Sequence, residues 1–223
     1  DQEEGAPVFL GDFDPIANRH DPVAAPPLER ALVAWALALA SRCEAIGASA
    51  QETANMDAIY LLETLKDLDL STPDLAVDVT ALAASALVRC DGPNEAIAVD
   101  TLNRIAPTLL AHTEAQGNAH TIQHAAALAW MPECVVPEAT TKAVGQLLEK
   151  AWSNATPQTL VANLDWFALA EVALAKRTGT PSQRIALLRE TRDVLAKRRE
   201  KEPLGTDLDG GIPLQSAAIN RID

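Results

Sequence analysis

Aromatic residues are scarce in this chain, at 4% of 223 positions. That argues against a core built on large rings. Alanine and leucine dominate instead, a composition that favours helices packed closely through small side chains. Basic charge is also short: 18 Lys and Arg stand against 31 Asp and Glu, a net charge of −13. Such an acidic chain makes poor contact with nucleic acid or anionic membrane surfaces, so neither is expected as a partner. Long apolar runs are missing. The longest is ALVAWALALA at residues 31–40, well short of the roughly 20 residues a membrane span needs, so no span is expected. Cysteines number three, Cys43, Cys90 and Cys134, with neither a CxxC pair nor metal-ligand spacing. Buried free thiols are the first expectation for them, and one disulfide plus one free thiol is the alternative. There is no nucleophile elbow, no phosphate-gripping glycine loop and no kinase or dinucleotide signature, so no cofactor is expected.

What is present is regular. Residues 1–26 form a proline-punctuated lead in which Val8, Phe9, Leu10, Phe13 and Ile16 are too apolar for a free tail. The lead is expected to lie along the domain surface or against a partner. Helix punctuation then begins. Thr72-Pro73, Thr156-Pro157 and Thr180-Pro181 each place a capping hydroxyl before a proline suited to the first helical position. Ser49 with Glu52, and Thr180 with Gln183, fit the capping box. Pro27, Pro93, Pro137 and Asn118 mark further starts, while Gly47, Gly117 and Gly179 stand where helix C-caps stand. These signals predict eight helices, at 27–46, 50–69, 73–90, 93–116, 118–131, 137–154, 157–178 and 181–202. Helix pairs therefore recur about every 45 residues.

The faces alternate too. The first, third, fifth and seventh helices are apolar nearly all round, as in LAVDVTALAASALV and TLVANLDWFALAEVALA; the others carry one apolar stripe. An all-round apolar helix is enclosed and a striped one has a wet side. The expected fold is all-α, with four antiparallel helix pairs in an arc, either an open α-solenoid or an α/α toroid. The domain layout is 1–26 as lead, 27–202 as the helical-hairpin domain, and 203–223 as a loop-rich tail. Charge divides unevenly over it: residues 1–175 carry −16 and residues 176–223 carry +3. The basic stretch from Arg184 to Lys201 suits an acidic partner or a solvated helix face.

Several side chains are candidates for chemistry. Asp165 and Glu171 sit on the otherwise apolar seventh helix, where an isolated buried carboxylate is costly and needs a partner or a wet cavity. Their six-residue spacing turns them about 120° apart, so a two-carboxylate hydrolase site would need a further acid. Structural pairing, for instance with an arginine, is the plainer reading, and Asp78 on the third helix is read the same way. His120 and His124 stand four apart on one face, but no third metal ligand is evident. Trp35, Trp130 and Trp166 fall on inner helices and Trp152 on an outer one; they line a ligand cavity or fill the core. In the tail, Asp207 and Asp209 precede Gly210-Gly211, yet the order of a calcium loop fails because Gly211 and Ile212 stand where a ligand and a glycine belong. No metal is expected.

The alternation of inner and outer helices, the inner helix NLDWFALAEVALA and the acidic Gly-Gly loop after the next outer helix resemble part of an α/α-toroid protein of the carbohydrate-active or terpenoid-cyclase-like kind. The resemblance covers residues 118–223 and implies a ring with acids and aromatics at one mouth. Trp130, Trp166, Asp207 and Asp209 would then bind an oligosaccharide, with Asp165 and Glu171 as candidate acid and base. The chain departs from that pattern by stopping soon after PLQSAAINRID begins. Two functions are therefore in view. One is a non-catalytic helical-repeat module that binds a protein partner or a second copy of itself. The other is a toroid-type glycoside hydrolase or lyase relative. The compartment is left open; export is one reading, because the first residue is Asp1 rather than Met.

Overall fold

A computed structural model describes residues 25–71, 74–88, 96–112, 121–135 and 139–201, together with two short paired segments in the lead. Those segments are β1 (Phe13–Asp14) and β2 (Arg19–His20), an antiparallel pair with Phe13 opposite His20. The other elements among the described residues are helices: α1 (Pro27–Ala40), α2 (Ala48–Glu63), α3 (Leu75–Leu87), α4 (Ala96–His112), α5 (Thr121–Trp130), α6 (Ala139–Ser153), α7 (Pro157–Ala162), α8 (Leu164–Thr178) and α9 (Arg184–Lys201). The fold is all-α. Each of the eight expected helices is present, and the seventh is broken into α7 and α8.

The break comes from Asn163. Its backbone (φ −120°, ψ 22°) is not helical. Its side chain accepts from Gln123 Nε2 at 2.9 Å and donates to the Thr159 carbonyl at 3.0 Å. A short amide side chain that binds nearby backbone competes with helix continuation.

The helix ends follow local chemistry, with corrections to the sequence expectations. Pro27 opens α1 as expected. Thr156 caps α7 in a reciprocal box with Thr159. The Ser49–Glu52 box is not made: α2 starts two residues earlier than expected, at Ala48, with Gly47 as an extended N-cap (φ −67°) and no side-chain cap. Gly47 is therefore an entry residue and not a C-cap. At α3 the cap is Asp74, whose carboxylate accepts the N–H groups of Ala76 and Val77. Before α9, Ser182 accepts the Arg184 N–H, while Thr180 bonds back to Thr178. Gly179 closes α8 in the left-handed region (φ +67°), as its position predicted. Thr72, Pro73, Pro93, Gly117, Asn118 and Pro137 lie outside the described residues.

The chain divides into two compact units: Asp1–His112 with Met131–Pro137, and Thr113–Trp130 with Glu138–Asp223. In the first, α1 packs on α2 and α3, and α4 packs on α3 and α2. Ala31, Ala34 and Ala38 form the buried stripe of α1. Small side chains at that i, i+3, i+7 spacing let helix axes approach closely. In the second unit α5 packs on α6 and α8, and α8 on α6 and α9. Thus within each unit the first helices of successive pairs lie against one another, α1 on α3 and α5 on α8.

Burial corrects the expected alternation. α3 and α5 are enclosed nearly all round, as their sequences required. α1 and α8 are not. Only three residues of α1 are buried, and Leu32 and Leu39 on its outer side are 42% and 51% exposed.

Four arginines hold helix ends. Arg30 donates to the Thr64 carbonyl at the end of α2, Arg104 to the Leu65 carbonyl beside it, and Arg42 to the Val88 carbonyl at the end of α3. Arg177 donates to the Leu128 and Ala129 carbonyls in the last turn of α5. A guanidinium satisfies orphan carbonyls and sits well at the negative end of a helix.

Candidate functional site

The second unit gathers most of the sequence candidates, though not into one site. Glu171 is 2% exposed on α8. Its carboxylate accepts the Trp152 indole N–H at 2.8 Å, and Arg184 Nη1 stands 3.7 Å away. Arg184 also lies over the Trp152 ring, 5.2 Å from its centre, and makes two 2.8 Å bonds to Glu149. Phe167 packs on the other ring contact of Trp152, with centroids 4.6 Å apart. Hydrogen bonding from Arg184 draws the Glu149 carboxyl below its ordinary range, and the same bond with Glu149 raises the Arg184 guanidinium. This cluster ties α6, α8 and α9 together. The indole and the cation both approach the same Glu171 oxygen, Oε1.

Asp165 is exposed near the start of α8. The helical turn separates it from Glu171 by about 120°, so the two do not meet. Trp130 is half-buried; its indole N–H donates to the Leu169 carbonyl at 3.1 Å and Lys176 lies 5.0 Å over its ring. Trp166 is half-buried on α8. Asp207 and Asp209 lie outside the described residues, as does His120. His124 and Asp78 are buried within their helices. Among the described residues no group of three His, Cys, Asp or Glu side chains is placed to hold a metal, and no helix is long and apolar enough to cross a membrane.

The cysteines do not follow the first expectation. Cys43 is an exposed free thiol and Cys134 is disulfide-bonded, the alternative pattern of one bridge and one thiol. The turn positions that place them next to apolar helices also leave them at the surface, which is why burial failed as a guide.

Beside the Trp152 cluster a depression of about 170 Å³ opens where α5, α6, α7 and α8 meet. Thr121, Asn154, Thr159, Asn163 and Phe167 are among the residues that line it. It carries no charged side chain. Its Asn163 is held by Gln123, a contact across 40 residues that no local sequence signal marks.

The other feature outside the packed core is the outward side of α1. Beyond Pro27 in its first turn, the exposed residues of α1 are Glu29, Leu32, Ala36 and Leu39, spaced three, four and three apart. They share one side of the helix, opposite the Ala31–Ala34–Ala38 stripe. Val33, Trp35 and Ala40 flank them half-buried. The wet face of α2 is different: Ser49, Glu52, Thr53, Asp57 and Glu63 are exposed there, and Met56 stands among them. Leu187 and Val194 on α9 are likewise exposed between Arg189, Glu190, Asp193 and Lys197. Single apolar side chains among charges are ordinary surface; a run of them along one helix side is not.

No protein-family model, no curated protein and no solved structure matches the chain.

Proposed function

We propose that this chain is a non-catalytic helical-hairpin protein that works by docking to protein, with the outward side of α1 as its contact surface. The observation that carries the reading is the exposure of Leu32 and Leu39 on a helix whose opposite side is already packed. Leaving apolar area in water forgoes about 25 cal/mol per Å², and covering it is the largest favourable term in association. The stacking of first helices in each unit supports a solenoid-like order of hairpins. An arc of four pairs is part of this proposal.

The alternative, a toroid-type carbohydrate-active protein, asks for acids that converge on a concave surface with a tryptophan. Glu171 is instead engaged by Trp152 and Arg184, and Asp165 lies on another side of α8. A thermal-shift screen against oligosaccharide classes separates the two readings. The docking reading predicts flat melting curves. A sugar at a hundredfold excess over its dissociation constant would add about 2.7 kcal/mol. Such a shift, persisting in a Leu32→Glu/Leu39→Glu variant, would replace the docking reading with the carbohydrate one.

A further inference from the structure

We infer that the depression where α5, α6, α7 and α8 meet is a binding site for a small uncharged molecule that carries a primary amide on a flat apolar ring. All of its lining residues belong to the second unit. The site is separate from the outward side of α1 and does not rest on the docking reading.

Size bounds the occupant. A volume of about 170 Å³ is close to the roughly 150 Å³ of an engineered protein cavity that takes benzene. It is below the roughly 300 Å³ at which sites for drug-sized ligands begin. One six-membered ring with a short substituent fits. Charge bounds it further. No charged side chain lines the depression, and an ion brought into it would lose water without gaining a counter-charge. The occupant is therefore neutral.

The lining defines its polar edge. Ile122, Ala151, Ala155 and Phe167 offer apolar surface, and the side-chain amides of Asn154 and Asn163 stand among them. Asn163 is held in place, its Oδ1 accepting from Gln123 and its Nδ2 donating to the Thr159 carbonyl. A side-chain amide has two N–H donors, so one Nδ2 hydrogen of Asn163 is uncommitted. The Asn154 amide bonds to no other described residue. An amide with donor and acceptor both open pairs reciprocally with a second amide, each N–H donating to the other's carbonyl. The ligand carbonyl keeps a second lone pair for the spare Asn163 hydrogen.

A further polar atom lies behind Asn163. Gln123 Nε2 is 2.9 Å from Asn163 Oδ1, while Oε1 of the same buried amide has no hydrogen-bond partner among the described residues. A buried acceptor without a donor marks a place where a water or a ligand group belongs. The second N–H of the ligand amide can supply that donor through one bridging water. A sugar of similar size carries hydroxyls round its whole ring and would press several of them, unpaired, against the apolar lining.

The experiment is a titration of the ¹⁵N-labelled full chain with benzamide, N,N-dimethylbenzamide and benzoate near neutral pH, followed by NMR of the backbone and side-chain amides. Few ligand atoms in an open depression give weak binding, about millimolar. Benzamide should shift the side-chain NH₂ signals of Asn154 and Asn163 saturably. N,N-dimethylbenzamide, which has no N–H, and benzoate, which is charged, should bind at least about tenfold more weakly. Asn154→Leu, a change at an exposed position, should weaken benzamide by a similar factor and leave the melting temperature of the free protein unchanged. Three results overturn the site: no saturable shift with benzamide, saturable shifts confined to residues away from the depression, or equal binding of the dimethyl amide or benzoate. The comparison of ligands uses the native chain alone, so it stands whatever the variant does to folding.

Discussion

Glu171 shows how a buried carboxylate is accommodated in a helix by its partners. The Trp152 indole N–H and the nearby Arg184 guanidinium meet it, which removes the cost of an uncompensated buried charge. Replacing it with leucine would leave the indole donor without its acceptor. Glu171→Leu should therefore lower stability by about 1–3 kcal/mol, and Glu171→Gln, which keeps an acceptor for Trp152, by less. Urea unfolding of the three proteins checks the order. The neighbouring Glu149 gives a pH signature. Its carboxyl is lowered by the hydrogen bond from Arg184, so it stays ionised in the folded protein at pH values where the unfolded chain has begun to take up protons. Its contribution is complete above the unfolded value of about 4.3 and fades as pH falls through the lowered folded value. The native protein should thus melt slightly above Glu149→Gln near neutral pH, and the two melting temperatures should converge in acid. The effect is small because the Glu149 side chain is largely in water. Glu171 was legible as an acid that needs a partner, and an arginine was a natural choice. That the arginine would be Arg184, already gripping Glu149 from the start of another helix, was not legible. The Glu149–Arg184 bond spans 35 residues, and where it leaves the guanidinium relative to Glu171 depends on how α6 and α9 meet α8.

At the level of elements, each expected helix exists because its period and its punctuation agree. The errors lie in the caps. Ser49 and Glu52 have the spacing of a capping box, yet α2 begins at Ala48 and Gly47 provides the entry. The motif fixes a spacing; which turn of backbone uses it is decided by the chain that leads in. Gly179 was read correctly because an αL closure demands a residue without Cβ. Gly179→Ala should cost about 1 kcal/mol in thermal or urea unfolding, with no loss of helix content. Asn163 was not legible as a break. Its neighbours read as one helix from 157 to 178, and the bond that holds it comes from Gln123 in another element. Asn163→Ala would strand the amide of Gln123, a side chain that is 8% exposed. A loss of about 1–3 kcal/mol is expected, and circular dichroism should show helix content unchanged or higher.

For the whole molecule, the all-α class and the alternation of α3 and α5 with striped helices were written in composition and period. The state of α1 was not. A helix that is apolar all round reads as enclosed, but periodicity cannot say whether protein of the same chain or of another encloses it. Ala31, Ala34 and Ala38 face the first unit, while Leu32 and Leu39 face outward; both sets look equally buried in a sequence. This is the point on which the functional account turns, and a thermal-shift screen of the native chain and Leu32→Glu/Leu39→Glu against oligosaccharide classes tests it most directly. The account predicts flat melting curves for both proteins with every sugar. A sugar-dependent rise in melting temperature that persists in the double variant would contradict it.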